Sequence, residues 1–361
     1  MLMKDAKNKR PKKRRWPWII GGVLLGFGLW QLVANFYLEE EKQLRRQLRQ
    51  TVKEKFPEQT ARFYENFGLF AYSTDGEKSG EANADRKSIV LIHGLDDPGK
   101  IWQNLAPALE KEKFNVWLMR YPNDQPVVES ARLFFEELKT LKERGVDRIS
   151  IVAHSMGGLV SRELLTCPQI DYRAATKNRQ VPEVAVLIMV GTPNHGSQLA
   201  RLRVFTEMRD QLARLTKGEA NWLGSIIDGA GEAKIDLLPG SRFLTELNAR
   251  PHPVGVEMLI IAGVTSPWKE SDINRWVRDV RPKVPEEQQK WVDEFGHNMI
   301  ALTHGLGDGL VTVESTRLEG VPHRTVDGTH MSMIRNMTTR SKRIPPAVPI
   351  IIDQLQSQTN P

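Results

Sequence analysis

Residues 149–162 read Ile-Ser-Ile-Val-Ala-His-Ser-Met-Gly-Gly-Leu-Val-Ser-Arg, and this stretch decides the fold. Ile149–Ala153 is a short apolar run typical of a strand, and a run with helical periodicity, Met156–Leu165, follows at once. One serine, Ser155, lies on the corner between them. A serine at a strand–turn–helix corner, with small residues two positions to either side, is typical of a nucleophile elbow.

The small residues have a steric reason. Strand and helix approach each other closely at such a corner, so bulky side chains next to the serine would collide. Ala153 and Gly157 meet this need, and Gly158 adds room. The turn is expected to hold Ser155 in a strained backbone conformation with its hydroxyl exposed. The alternative is a glycine-rich helix start with an incidental serine, so the rest of the chain must decide.

Apolar segments of strand length alternate with segments of helical periodicity on both sides of the elbow. The predicted strands are Ser88–Ile92, Val116–Arg120, Val184–Val190 and Val256–Val264, and the predicted helices include Ile101–Phe114, Ser130–Arg144 and Ser241–Ala249. Continuous apolar strands alternating with helices predict a mostly parallel sheet that is covered by helices on both faces.

The first of these strands continues into His93-Gly94-Leu95. A glycine-containing loop at the end of a buried strand can direct a backbone N–H at a substrate oxygen, which is half of an oxyanion hole. We expect the backbone N–H groups of Leu95 and Met156, the residue after the nucleophile, to be the two donors. His93 precedes the turn, and we expect it to be structural.

Three motifs occur in a fixed order: Leu-Ile-His-Gly-Leu at 91–95, Ala-His-Ser-Met-Gly-Gly at 153–158 and Gly-Thr-Pro-Asn-His-Gly-Ser at 191–197. Over about residues 88–340 they resemble the α/β-hydrolase lipases. They are similar to small bacterial lipases with alanine in the elbow and to the GPI-inositol deacylases. The resemblance implies the α/β-hydrolase fold, with inserted lid or cap segments, and cleavage of lipid or other acyl esters by a Ser-His-Asp triad.

In those families the Gly-Thr-Pro loop forms a wall of the active site. The resemblance therefore implies that pocket-wall or structural roles fall to a further set of residues. They are His93, Gly94, His154, Gly157, Thr192 and His195. An alternative role for His195 is that of the catalytic base.

A serine hydroxyl needs a histidine to take its proton and a carboxylate to orient that histidine. In this fold they follow in the order serine, acid, histidine. Asp308, between Gly307 and Gly309 and ahead of an apolar run, resembles the acid loop of these lipases. The alternative for Asp308 is a simple Asp-Gly turn.

Two histidines follow Asp308 in the sequence, His323 and His330. His330 comes after a turn and before a predicted helix start, and its distance from Asp308 resembles the small-lipase spacing. His323 begins a predicted strand, which suits a base less well. We therefore predict the triad Ser155–His330–Asp308, with Asp327 as the reserve acid.

Charge and cysteine content narrow the function classes. The chain has 51 basic and 44 acidic residues. Residues 1–15 contain eight of the basic residues and one of the acidic residues, so the rest of the chain has 43 of each. The net charge of +7 thus belongs to a tail, and nucleic-acid binding is not predicted. Cys167 is the single cysteine, so an intrachain disulfide is excluded. No zinc-type ligand spacing is present, and the predicted chemistry needs no metal or cofactor.

The N-terminal region predicts a membrane anchor. Trp16–Leu38 is a run of 23 residues without a charged side chain, and as a helix it would span about 35 Å, enough for a hydrocarbon core of about 30 Å. Lysines and arginines precede it, which predicts a cytoplasmic tail at 1–15 and a catalytic body on the opposite, extracytoplasmic side. The alternative is a cleaved signal peptide and a secreted protein.

The remaining segments of the chain are predicted from composition and from the spacing of their apolar residues. Residues 39–87 predict a helical stalk and linker, with a helix over Glu39–Phe56 that has one narrow apolar stripe. Residues 88–361 predict the catalytic domain, which ends in a helix over Pro345–Gln356. Residues 217–240 and 266–297 mix apolar islands with charges, which favours lid or cap insertions. A further amphipathic helix is predicted over Leu199–Leu215.

These features predict a membrane-anchored serine hydrolase of carboxylic esters. The shape of the pocket, and not the triad, determines which acyl donor and which acceptor can react. An acyltransferase, a thioesterase or an amidase with the same triad is therefore an alternative. So is a catalytically silent hydrolase fold that serves as a membrane-tethered binding module.

Overall fold

A seven-stranded sheet organises the protein in the computed structural model, which describes residues 42–43, 46–47, 49–74, 83–95, 97, 99–197, 232–265, 270–338 and 340–357. The strand order is β1-β3-β2-β4-β5-β6-β7. The strands are β1 (Gly68–Ala71), β2 (Ser88–Ile92), β3 (Asn115–Arg120), β4 (Arg148–His154), β5 (Glu183–Val190), β6 (Glu257–Val264) and β7 (His323–Asp327).

All neighbouring strands pair in parallel except β1, which runs antiparallel to β3. Every residue of β2 is buried, as is every residue of β5 after Glu183, because helices cover both faces of the sheet. The apolar side chains of the two faces form two separate core clusters, one on each side. The predicted parallel sheet with helices on both faces is confirmed.

Helices fill the connections between the strands. They are α1 (Pro57–Tyr64), α2 (Leu105–Lys111), α3 (Val127–Glu143), α4 (Met156–Thr166), α5 (Tyr172–Lys177), α6 (Glu232–Asp236), α7 (Arg242–Asn248), α8 (Glu270–Val280), α9 (Glu286–Leu306), α10 (Val313–Thr316) and α11 (Ala347–Gln356). Where a single helix over Ile101–Phe114 was predicted, a 3₁₀ turn at Lys100–Trp102 precedes α2. Pro107 has no N–H to donate, so it is accommodated in the first turn of α2.

Strand β1 was not predicted, because four residues without polar alternation carry too little pattern. It lies within the range assigned to the stalk and linker, and it pairs Gly68 with Arg120 and Ala71 with Trp117 on β3. Its Leu69 N–H also donates to Glu137 Oε2 of α3 at 3.0 Å. The sheet thus gains an antiparallel edge strand from a segment ahead of the predicted catalytic domain.

The segment before β1 also contacts the body. Residues 49–55 are helical, and the side chain of Arg49, 3% exposed, donates to Glu129 Oε1 of α3 at 2.6 Å. Arg49 Nη2 also lies 3.3 Å from Glu232 Oε1 of α6. Lys42 pairs with the buried Asp236. These ion pairs hold the described part of the predicted stalk helix against the sheet-covering helices.

The predicted lid segments have two different outcomes. Residues 217–231 lie outside the described residues, while α6 at the end of that range is fully buried. Most of 266–297 forms α8 and the first half of α9, which are joined by Arg281–Lys283. Trp276 of α8 and Phe295 of α9, each 40% exposed, have ring centroids 5.3 Å apart.

No helix within the described ranges is both long and apolar enough to span a bilayer. The predicted anchor Trp16–Leu38, the basic tail and the predicted helix Leu199–Leu215 lie outside those ranges.

Candidate active site

Ser155 lies at the end of β4, directly before α4, as the sequence predicts. Its backbone has φ 54° and ψ −127°, a combination that costs a non-glycine residue roughly 1–3 kcal/mol. The Ser155 N–H donates to Val190 O of β5 at 2.8 Å, which anchors this conformation to the sheet. The turn therefore has the strained geometry of a nucleophile elbow.

Close packing around the corner explains the small residues. A Cβ on Gly157 would lie 2.7 Å from His93 O and in harder conflict with Ile92 O, both backbone atoms. A Cβ on Gly94 would lie 2.6 Å from Ser155 Cβ. Gly158 packs against the Thr192 side chain. The structure thus places Gly94, Gly157 and Thr192 around the nucleophile.

Asp308 and His330 form a buried pair. His330 Nδ1 lies 2.7 Å from Asp308 Oδ2, and the His330 N–H donates to Asp308 O at 2.9 Å. The other carboxylate oxygen, Oδ1, accepts from the N–H groups of Leu310 and Val311 at 2.8 Å each. Three donors thus converge on an acid that is only 2% exposed, and they fix its orientation.

Asp308 is brought to the sheet by the closure of an insertion. The chain leaves β6 at Val264, runs through α8 and α9, and returns at Gly307. Thr265 joins the two ends, because its N–H and Oγ1 donate to Gly307 O at 2.7 Å and 3.0 Å. Asp308 therefore lies beside the carboxyl end of β6, although a helix of 21 residues directly precedes it.

His154 connects the elbow to the base. Its Nε2 lies 2.9 Å from His330 O, and the centroids of the two rings are 4.6 Å apart. Because a carbonyl oxygen only accepts, Nε2 carries the proton, and the buried Nδ1 of His154 has no partner among the described residues. The strand that ends directly before Ser155 thus contacts the predicted base, His330.

No hydrogen bond joins the Ser155 hydroxyl to the His330 ring in the described part of the chain. Catalytic hydrogen bonds are often long in substrate-free enzymes and tighten when substrate binds. Asp308 engages Nδ1 of His330, so Nε2 is the nitrogen left to accept a proton from a serine.

Burial keeps two further histidines neutral. Desolvation, followed by the influence of His330, holds the pKa of His154 well below the usual value. Desolvation also lowers the pKa of His93. A neutral His154 adds no positive charge beside His330, so it does not oppose protonation of the base.

The loop after β2 is held in shape by buried aromatic contacts. His93 stacks on Tyr121 with ring centroids 4.6 Å apart, and Tyr121 Oη donates to His93 O at 2.6 Å. His93 Nδ1 lies 2.9 Å from Gly94 O. These contacts hold His93 in the loop, and its structural role stays a prediction; Tyr121 was not singled out in the sequence.

The two predicted oxyanion donors are available. Neither the Leu95 nor the Met156 N–H has an acceptor within the residues that the structure describes. Met156 begins α4, where the first N–H groups lack intrahelical partners and the helix dipole favours negative charge. Backbone N–H groups that have no acceptor among the described residues suit a developing oxyanion.

The Gly-Thr-Pro-Asn-His-Gly-Ser loop braces the acid loop. Asn194 Nδ2 donates to Thr316 O at 2.7 Å, and its Oδ1 accepts from Arg162 of α4 at 3.0 Å. Ser197 Oγ donates to Leu310 O at 2.6 Å, and the His195 N–H donates to Ser315 O at 2.9 Å. This loop thus links the elbow helix to the segment that carries Asp308.

Asn194 and Arg162 were not predicted as site residues. The signal in the sequence is a charged residue on a mostly apolar elbow helix, which requires a buried polar partner. Burial lowers the pKa of Arg162 to about 10. His195 is exposed, and its Nε2 lies 3.1 Å from Arg317 O, so it is a structural contact and not the partner of Asp308.

The reserve acid Asp327 and the less suitable histidine, His323, lie on β7. His323 Nε2 is 2.8 Å from Thr316 Oγ1, and Asp327 pairs in register with Val264 of β6. The carboxylate whose oxygen lies 2.7 Å from His330 Nδ1 is that of Asp308. Among the described residues, no group of three metal-ligating side chains is present.

A cavity of about 620 Å³ opens beside the acid loop. Its lining includes Ser197, Leu310, Val311 and Ser315. Because the N–H groups of Leu310 and Val311 also donate to Asp308 Oδ1, the cavity adjoins the loop that carries Asp308. His195 also lines this cavity.

Comparison with known proteins places these features in context. Residues 125–238 match the model of a family described as "Domain of unknown function (DUF7379)". No curated protein matches the chain in sequence.

Three of the similar solved structures are an esterase and two lipases. The metagenomic carboxyl esterase MGS0156 superposes with a TM-score of 0.50 at 19% identity, covering 80% of this chain and 83% of that one. The mature lipase BlEst2 of Bacillus licheniformis has a TM-score of 0.47 at 19% identity, with 80% and 97% covered. The Staphylococcus hyicus lipase has a TM-score of 0.49 at 13% identity, with 78% and 97% covered.

The likeness to MGS0156 agrees with the topology described above: a mostly parallel sheet, an antiparallel first strand and a serine on the turn after a central strand. The chain has the α/β-hydrolase fold.

Proposed function

We propose that the protein is a serine hydrolase of carboxylic esters, with Ser155 as nucleophile, His330 as general base and Asp308 as the residue that orients the base. The observation that carries the proposal is the buried Asp308–His330 pair at 2.7 Å, which is contacted by His154, the residue directly before a serine with φ 54°. These are the groups that activate a serine hydroxyl.

In the first half of the reaction Ser155 Oγ attacks the ester carbonyl and its proton passes to His330 Nε2. Asp308 stabilises the imidazolium through Nδ1–H. The N–H groups of Leu95 and Met156 hold the oxyanion of the tetrahedral intermediate. Collapse of the intermediate expels the alcohol, which takes the proton from His330, and leaves an acyl-enzyme on Ser155.

In the second half His330 removes a proton from water, and the hydroxide attacks the acyl-enzyme. The carboxylic acid leaves and Ser155 Oγ recovers its proton from His330. No step requires a metal ion or an organic cofactor. The substrate is an acyl or lipid ester; acyl transfer, thioester or amide cleavage would use the same residues.

A fluorophosphonate probe tests the nucleophile. We expect covalent labelling of the full chain and none of Ser155→Ala. Ser150→Ala is the matched control, since it removes a serine from the same strand, and it should be labelled like the wild type. A folded wild-type protein that resists the probe would refute the proposal and favour a silent binding module.

A panel of short- and long-chain esters, thioesters and amides then separates the alternatives. We expect the highest kcat/KM on carboxylic esters. A rate that rises with an added alcohol acceptor would point to acyl transfer in place of hydrolysis.

The membrane anchor is part of the proposal. Its support is the uncharged run of 23 residues at Trp16–Leu38 after a basic tail. We propose that this run spans the membrane, with residues 1–15 in the cytoplasm and the catalytic body on the other side. Resistance to alkaline carbonate extraction with an intact N-terminus is the expected result, whereas a mature protein that begins after residue 34 would indicate a cleaved signal peptide and secretion.

A further inference from the structure

Large apolar side chains are exposed in the segment between the base and the last helix. Met337 is 67% exposed and Ile344 is 71% exposed. Arg340, Lys342 and Arg343, all exposed, lie between them in sequence. We call these five residues the basic–apolar surface.

The charged side chains around the basic–apolar surface are all basic. Residues 328–352 contain four basic and no acidic residues. Within the described part of the chain, none of the three cations of the basic–apolar surface forms an ion pair. Residues outside 1–15 carry 43 basic and 43 acidic residues, so this positive segment stands out from a neutral body.

The exposure is imposed by the fold. Asn336, which is buried, donates from Nδ2 to Ser341 O at 3.2 Å and to Arg343 O at 2.6 Å. Its N–H donates to Asn104 Oδ1 at 2.7 Å, and its carbonyl accepts from Gln103 Nε2 at 2.5 Å. One buried amide thus ties Ser341 and Arg343 back to the start of the segment, in which Met337 and Ile344 are exposed.

Asn336, directly before the basic–apolar surface, bonds to Gln103 and Asn104 in the connection that follows β2. The surface therefore begins near the carboxyl end of the sheet, where Ser155 and His330 also lie. Arg343 Nη1 donates to Ser332 O at 3.1 Å, close in sequence to the base. A surface that bound this segment would therefore lie on the side of the molecule that carries the candidate active site.

We infer that the basic–apolar surface contacts an anionic phospholipid bilayer. Cations suit the negatively charged headgroups, and the flanking apolar side chains suit the hydrocarbon just below them. A nucleic acid would match the cations but would offer no apolar environment to Met337 and Ile344. The interaction does not depend on the triad.

A fluorophore at Met337 reports the contact locally, which is necessary because the proposed anchor would hold the chain on any membrane. The full chain with Met337→Cys is labelled with a nitrobenzoxadiazole fluorophore, since Cys167 is buried. It is reconstituted in vesicles of phosphatidylcholine alone or with one-third phosphatidylglycerol. We expect a blue shift and a severalfold rise in emission only with phosphatidylglycerol, reversed by high salt.

Two matched controls accompany this measurement. Val254→Cys places the fluorophore at an 81% exposed apolar residue ahead of β6, at the opposite end of the sheet, and should not respond. Arg340→Gln with Lys342→Gln should weaken the response at position 337 about tenfold or more. Arg173→Gln with Lys177→Gln removes two exposed cations from α5 and should leave it unchanged.

Several outcomes would overturn the inference. They are no response at position 337, an equal response in both vesicles, or an equal response at position 254. A stronger response to a soluble nucleic acid than to phosphatidylglycerol would indicate a polyanion site instead. Ser155→Ala should keep the lipid response, so a failure of the proposed hydrolase activity is distinguishable from a failure of this inference.

Discussion

Asp308 and His330 are joined twice, by Oδ2 to Nδ1 at 2.7 Å and by the His330 N–H to Asp308 O at 2.9 Å. The side-chain contact orients the imidazole, and the main-chain contact holds the two loops together. Both loops leave the carboxyl end of neighbouring strands, β6 and β7, which is why residues far apart in sequence meet.

Asp308→Asn tests the first of these contacts. The amide retains an acceptor for the N–H groups of Leu310 and Val311, but its NH₂ faces His330 Nδ1 and favours the wrong imidazole tautomer. We expect kcat on an ester substrate to fall on the order of 10³–10⁴-fold, with little change in melting temperature. A loss below tenfold would show that Asp308 is not the orienting acid.

His154→Phe tests whether His154 positions the base. Phenylalanine preserves the ring contact with His330 but removes the hydrogen bond to His330 O. We expect kcat to fall about tenfold to a hundredfold while KM changes little, because substrate contacts remain. His252→Phe is the matched control, since its Nε2 contacts Glu319 O at an exposed site, and it should keep full activity. Equal effects of the two changes would contradict a positioning role.

Gly157→Ala tests the close approach at the elbow. The new Cβ would meet the backbone carbonyls of Ile92 and His93, which cannot move without disturbing β2. We expect a loss of about 1–3 kcal/mol in unfolding free energy. Gly305→Ala adds the same methyl group to helix α9 where nothing lies within 4 Å. Gly305→Ala should raise the unfolding free energy by up to about 1 kcal/mol. Thermal melts of both variants measure these changes.

Glu232→Gln tests whether the carboxyl group of Glu232, which lies where the N-terminal helix contacts the body, titrates with a raised pKa. Desolvation raises the pKa of Glu232 to about 7, although Arg49 opposes the shift. The folded state thus holds this proton more tightly than the unfolded chain, so the contribution to stability is complete below about pH 4.5 and declines as pH rises to about 7.

The wild type should therefore lose up to about 3 kcal/mol of unfolding free energy between pH 5 and pH 8 through this group. In Glu232→Gln this part of the decline should be absent. The unfolding free energy of the variant should therefore equal that of the wild type at pH 5 and exceed it at pH 8. Glu246→Gln, at an exposed carboxylate on α7, should retain the wild-type profile. Parallel profiles for the wild type and Glu232→Gln would show that Glu232 does not titrate in this range.

The sequence by itself determined the elbow, the parallel sheet and the identities of Ser155, Asp308 and His330 as candidates. Apolar strand runs, small residues beside the serine and motif order are local signals, and each follows from short-range sterics or burial. The features that the sequence did not predict were missed for physical reasons. Strand β1 is too short for a periodic pattern, and Arg162 and Asn194 reveal their roles only when distant loops meet.

Tertiary structure alone decided how the insertion returns to β6 through Thr265 and Gly307, which sets Asp308 beside the sheet. It also decided that His154, one residue before the nucleophile, bonds to the base's carbonyl, and that Arg49 meets Glu232. These are contacts between residues far apart in the chain. Their partners are chosen by the packing of whole elements, for which a linear sequence carries no local signal.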